Sequence, residues 1–391
     1  MFVFVCAGCG ATLTSPLSRV ALPAHAHQIY GNGIQLPVLM EPGTFAVEAE
    51  PSGPPWRRWE EIDPDEAAAR GIHAPVEALS DGPPGAIVIA PGDVCGTRLI
   101  PERAGGYCCG LDGTHGPNMA CEACGLPVAS RIDDCSLWQA VWLAPNAVDR
   151  RRVGDAVPPL SWSELMETPL ITPPSEPIAT WGGRAGASRW WSWSPQWVAA
   201  AGRALAHLLA ASGRRPVAVP DGPTAEVFRR ALDALLPAGP PELRAALAGP
   251  GRPAADTDAD LLLVPVHPQT GELWTPPCEN GRSNGNGTPA SGSDGAAAGP
   301  TPVAPADRSV PLPFGMWRWL AFPEPSPPVP TWGGRNAELL RDYPPEPRPL
   351  HPFRIDSGVF RHTLVRLPAA RSPWLREILA DLIHHMRTGV F

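Results

Sequence analysis

The sequence predicts an α+β protein: a β-rich N-terminal module, then a small α/β part, then a C-terminal strand-helix segment. Three observations predict it. Eight of the nine cysteines fall in residues 1–150, among short apolar runs bounded by Gly and Pro. From Ser194 onward the apolar spacing changes to threes and fours, interleaved with short buried-type runs. Pro and Gly number 53 and 39 in 391 residues, yet 43% of the chain is hydrophobic and 15 residues are Trp. That composition suits modest folded units joined by proline-rich connectors rather than wholesale disorder.

In order along the chain, residues 1–150 read as a Cys-rich β module. Its candidate strands are Val3–Val5, Gln35–Met40, Thr44–Val47, Ala86–Ala90 and Gln139–Leu143. One short helix is signalled by Asp63 at the N-cap, Pro64 at the first position, Glu66 at the third and Gly71 beyond its end. The acidic run Glu60–Glu66 then reads as favourable charge at a helix start, not as a metal or acid/base cluster. Residues 151–193 form a Pro/Trp-rich connector with little periodicity. In 194–275, Ser194-Pro195 opens a helix to Ala211, Val217–Val219 is a strand, Ala225–Leu236 a helix and Leu261–Val266 a strand. Residues 276–309 read as a disordered linker, with Cys278 a lone thiol at its edge. The last segment, 310–391, carries an alternating strand around Val359–Leu367 and a closing helix from Ser372-Pro373 to Arg387.

Charge narrows the partners. The chain has a formal net charge of −8, and every one of its 31 basic residues is Arg. The absence of Lys from these residues removes Schiff-base and P-loop lysine chemistry. The cysteine-rich part is the acidic part, the wrong sign for a phosphate backbone, so nucleic acid is not the expected partner. Met1–Cys6 has no basic start and is too short for a signal segment; the apolar stretch Trp197–Ala211 is interrupted by Arg203 and His207. A cytoplasmic location without membrane contact is expected, with cysteines serving metal or free thiols.

Two ten-residue stretches repeat. Ser175–Arg184 (SEPIATWGGR) and Ser326–Arg335 (SPPVPTWGGR) agree at seven positions. One reading is duplication of a structural unit. The other makes Trp181, Arg184, Trp332 and Arg335 binding residues, each loop offering an aromatic ring and a guanidinium to an anion.

The cysteines carry the clearest chemistry. Cys6-Ala7-Gly8-Cys9-Gly10 and Cys121-Glu122-Ala123-Cys124-Gly125 share the form Cys-x-x-Cys-Gly followed, three residues on, by an apolar side chain. The spacing lets two thiolates occupy adjacent corners of a tetrahedron, and the Gly permits a left-handed turn that aims N–H groups at the sulfurs. A local ligand set, Cys109, Cys121, Cys124 and Cys135, with Cys108 or His115 as substitutes, satisfies the same chemistry, as do two separate sites. The paired motifs resemble the knuckles of zinc-ribbon proteins. That resemblance implies a zinc-ribbon-like module with Zn2+ held by Cys6, Cys9, Cys121 and Cys124. The departure is the 111-residue insertion between Cys9 and Cys121, which the slow growth of loop-closure entropy permits. The segments Gly106–Gly113, Gly116-Pro117-Asn118 and Asp134-Cys135 resemble cysteine-rich proteins of high-GC actinobacteria, a likeness that implies no activity.

Among lesser features, His25 and His27 would share one face of an extended segment, though a turn-surface pair is the expectation. The function expected is a structural zinc protein whose tryptophan-rich second half binds a protein partner. The rival is an enzyme whose site lies at the strand ends of 194–275, with Asp221, Thr224 and His267 as its polar residues and His267 as acid/base.

Overall fold

The computed structural model describes residues 1–31, 33–106, 108, 110–155, 157–169, 172–180, 189–253, 258–276, 308–323, 349 and 351–391. Both strands and helices are present, strands dominating the N-terminal part and helices the C-terminal part, the α+β arrangement expected.

In the N-terminal part, β1 (Phe2–Cys6) pairs antiparallel with β12 (Val148–Arg152), matching Phe2 to Arg152 and Cys6 to Val148. A seven-stranded sheet runs in the order β2 (Ser18–Arg19), β4 (Thr44–Val47), β7 (Ile87–Ile89), β11 (Ala140–Leu143), β10 (Pro127–Ile132), β9 (Met119–Cys121), β8 (Thr97–Leu99). Side chains alternate between its faces as strand geometry requires. Phe45, Ile87, Ile89, Val141 and Leu143 join Phe4, Leu13 and Leu17 on one side. Ala46, Val88 and Ala140 join Leu36, Met40 and Trp138 on the other. Both faces are covered, which explains strands that are apolar at consecutive positions. Helix α1 (Pro64–Ala69) starts where its cap residue predicts, with Asp63 Oδ1 accepting from Asp65 N at 2.8 Å and Glu66 N at 3.4 Å.

The C-terminal part is built on a four-stranded sheet, all neighbours parallel: β15 (Val217–Ala218), β16 (Leu243–Leu247), β17 (Leu261–Val266) and β18 (Ser309–Pro313). Helices α3 (Pro195–Ser212), α4 (Pro223–Leu235) and α5 (Phe314–Ala321) pack with it around one apolar core. β16 eluded the sequence reading because Leu-Arg-Ala-Ala-Leu is a run of helix formers; burial between two parallel neighbours overrides that preference.

The expected strand at Val359–Leu367 is instead helix α6 (Ser357–Leu364). Asp356 caps it, its Oδ1 accepting from Val359 N at 2.7 Å, and Val359, Phe360 and Leu364 form one buried helical face. The closing helix is divided at Asp381 into α7 (Pro373–Ala380) and α8 (Leu382–Arg387). The expected strand Gln35–Met40 shortens to β3 (Ile34–Gln35), since Pro37 cannot donate to a ladder. The connector is more ordered than its composition suggests. It holds α2 (Trp162–Glu167), closed by a reciprocal Ser161–Glu164 capping box, and the antiparallel pair β13 (Ser175–Thr180) and β14 (Arg189–Trp193), with β13 also bonded to β3.

Candidate metal centre

The two Cys-x-x-Cys-Gly turns come together in space. The first follows β1 and the second follows β9, so each begins at the end of a strand packed in the core that buries Cys6 and Cys121. Their backbones match bond for bond. Cys6 N donates to Ala11 O at 2.8 Å and Cys121 N to Leu126 O at 2.9 Å; Gly10 N donates to Cys6 O at 2.8 Å and Gly125 N to Cys121 O at 2.9 Å. Gly10 and Gly125 have φ of 75° and 79°, the left-handed conformation the motif requires.

Cys6 Sγ lies 3.5 Å from Cys124 Sγ, and Cys9 Sγ 3.7 Å from Cys121 Sγ. All four sulfurs lie within 4.8 Å of one another. A disulfide would require about 2.05 Å. Four sulfurs at about 2.3 Å from a central ion stand about 3.8 Å apart, so the observed spacing is that of a tetrahedral metal site. The four cysteines are thus positioned to bind a metal.

The electrostatics agree with that use. Burial raises the Cys6 thiol, with the Cys124 thiol adding to it, against the N–H groups of Gly8 and Cys9. The Ala11 N–H lowers Cys9, but the Cys124 thiol, burial and the remaining cysteines outweigh it and push it up to about 12. Burial also raises Cys121, yet the N–H groups of Cys124 and Ala123 and the neighbouring thiols bring it down to about 7. Four crowded thiols resist joint ionisation unless a cation replaces their protons.

A second, smaller group joins Cys108, Asp134 and Cys135, with Cys108 Sγ and Cys135 Sγ 3.3 Å apart and Asp134 Oδ1 accepting from Cys135 N at 2.7 Å. Cys135 therefore stands apart from Cys121 and Cys124 in the metal-competent groupings, and exposed His115 belongs to neither. Asp134 was not singled out as a ligand from sequence; its adjacency to Cys135 was the available signal.

Other residues singled out from sequence are dispersed. Cys109, Cys278, Trp181, Arg184, Trp332 and Arg335 lie outside the described residues. Asp221 is exposed and paired with Arg229 at 2.6 Å. Thr224 is buried in helix α4. His267 is buried, with Nε2 2.8 Å from Leu160 O and Nδ1 accepting from Gln269 N and Thr270 N at 3.2 Å each, so it organises a turn. His25 and His27 lie in a turn; His25 packs on Trp138 while His27 pairs with Glu48. Glu48, Arg203, His207 and His362 gather near His27, a grouping drawn from four distant segments for which no local pattern exists.

No protein-family model, no curated protein and no solved structure matches this chain.

Proposed function

We propose that Cys6, Cys9, Cys121 and Cys124 hold one structural zinc ion in a zinc-ribbon-like pair of knuckles. The observation that carries this reading is the pair of sulfur edges, 3.5 and 3.7 Å, across two turns of matching backbone. Tetrahedral all-thiolate sites suit zinc, and four protein ligands leave no position for substrate. The ion then acts as a staple between the turn after β1 and the end of β9, with Cys9 and Cys121 112 residues apart. The chain's remaining work is non-catalytic, in binding a protein partner through its tryptophan-bearing second half, and a reducing compartment such as the cytoplasm keeps the thiols available. The rival, an active site on Asp221 and His267, draws no support from residues already engaged elsewhere.

Metal content by mass spectrometry tests the zinc reading, on protein prepared without an affinity metal. One zinc equivalent lost in Cys6→Ser and Cys121→Ser but retained in Cys135→Ser is the expected result. Zinc that survives Cys6→Ser yet disappears with Cys135→Ser would overturn it, as would a wild-type protein that takes up iron in preference to zinc.

A further inference from the structure

A cleft of about 740 Å³ opens between the β2–β4 side of the N-terminal sheet and helices α3 and α6. Its ionisable lining comes from separate parts of the chain: Arg19, His27, Glu48, Arg203, His207 and His362, with Glu50 and Arg366 at one side. The two carboxylates are already committed. Glu48 is buried, bonded to His27 Nε2 and accepting from Glu50 N at 2.9 Å. Glu50 receives Arg366 Nε at 2.6 and 2.8 Å.

Arg203 is left over. It projects from the middle of α3 and has no hydrogen bond or ion pair with any described residue. Half-buried at the cleft wall, it is held below its ordinary pKa by burial. Its charge reaches both neighbouring imidazoles. Burial and then Arg203 lower His207 to about 4; burial, Arg366 and His27 lower His362 to about 3, with Arg203 contributing. Both rings are therefore neutral near pH 7, each offering one N–H. Behind them His27 stacks between His362 and Trp142, with centroids 5.1 and 6.1 Å away and ring planes 29° and 21° apart. The bond to Glu48 fixes the orientation of that stack.

A half-buried guanidinium with no counter-charge beside it is left to attract an anion, and its planar fork matches the two oxygens of a carboxylate or phosphate. The imidazoles of His207 and His362 line the cleft with the cation as neutral N–H donors, while the carboxylates that could compete for it are bonded elsewhere. We propose that this cleft binds a small molecule carrying a carboxylate or phosphate oxyanion, with Arg203 as its anchoring cation and His207 and His362 as hydrogen-bond donors beside it. The site is separate from the cysteine cluster, and the proposal does not depend on the identity of any metal.

Calorimetric titration of the full chain with pyrophosphate, citrate and a neutral polyol tests it, alongside Arg203→Gln and Arg203→Lys. The expected result is binding of at least one anion and none of the polyol. That binding should weaken at least tenfold in Arg203→Gln and less in Arg203→Lys, which keeps the charge and loses the fork. Pyrophosphate alone would assign a phosphate ligand, citrate alone a carboxylate. Removing an uncompensated cation should also raise the melting temperature of unliganded Arg203→Gln, which separates loss of binding from loss of folding. Failure of both anions to bind wild type, or undiminished binding by Arg203→Gln, overturns the proposal.

Discussion

Gln28 Nε2 donates to Asp356 Oδ2 at 2.9 Å, joining residues 328 positions apart. The same amide group donates to Pro195 O at 2.9 Å, and Gln28 Oε1 accepts from Trp138 Nε1 at 3.1 Å. One buried side chain thus links the N-terminal sheet, the start of α3 and the cap of α6. Replacement by Ala leaves an indole N–H, a carbonyl and a carboxylate short of partners, each in a place water reaches poorly. Gln28→Ala should cost about 1–3 kcal/mol, measured by chemical denaturation, with metal content unchanged. A loss within error of zero would show that water replaces the amide.

Helices α3 and α6 meet at Gly202. A Cβ there would stand 2.6 Å from Asp356 O and 3.1 Å from Phe360 N, both backbone atoms that cannot swing aside. Gly202→Ala should therefore lower stability by about 1–3 kcal/mol, despite the better helix propensity of Ala. A variant more stable than wild type in urea would mean that the two helices separate readily.

Metal removal should loosen the N-terminal part first, since Cys6 and Cys121 sit in its core beside Phe4 and Val128. An ion present at a hundredfold over its dissociation constant contributes about 2.7 kcal/mol, so chelation should lower the melting temperature. Restoring zinc should bring it back. Identical melts with and without chelator, on protein shown to carry metal, would remove the staple role.

Gly10 and Gly125 test the knuckles without touching a sulfur. A side chain in the left-handed region costs about 1–2 kcal/mol, so Gly10→Ala and Gly125→Ala should each weaken metal binding by about tenfold. Competition with a chromophoric chelator reads this directly.

Acid should destabilise the fold before carboxylates titrate. Burial brings His25 down to about 3, burial with Arg203 brings His207 to about 4, and burial with Arg366 and His27 brings His362 to about 3. Each folded value lies below the unfolded one, near 6.5, so the unfolded chain binds more protons in between. The associated stability is present above about pH 6.5 and is lost as pH falls toward 3–4, at up to about 1.4 kcal/mol per pH unit for each ring. Burial raises Asp356 and Glu176, so the folded chain holds more protons on those two carboxyls between their raised values and their ordinary ones, which offsets part of the loss over that interval. Denaturant midpoints that stay flat from pH 6.5 to 4.5 would contradict this account. An oxyanion in the Arg203 cleft should shrink the slope by raising the two rings beside it.

Much of the local structure was legible because it depends on a few adjacent residues. Asp63-Pro64 with Glu66 sets a helix start, Ser194-Pro195 opens α3, and Cys-x-x-Cys-Gly sets a turn, each through bonds that close within five residues. Where local preference and packing disagree, packing prevails. Leu243–Leu247 is composed as a helix and lies as a strand between two parallel neighbours; Val359–Leu367 alternates as a strand, and α6 winds through its first six residues to bury Phe360 and Leu364 against α3.

The sequence by itself determined the two knuckles, the caps and the expectation of an α+β chain. Only the tertiary structure decided that Cys6 meets Cys124 rather than Cys135 meeting Cys121, and that His27, Glu48, Arg203 and His362 share one cleft. The reason is physical. A turn's energy resides in its own dihedrals and short-range bonds, whereas closing a loop of a hundred residues costs little more than closing one of fifty. Spacing along the chain therefore leaves the partner open, and the burial of Phe4, Phe45 and Trp138 around the strands chooses it.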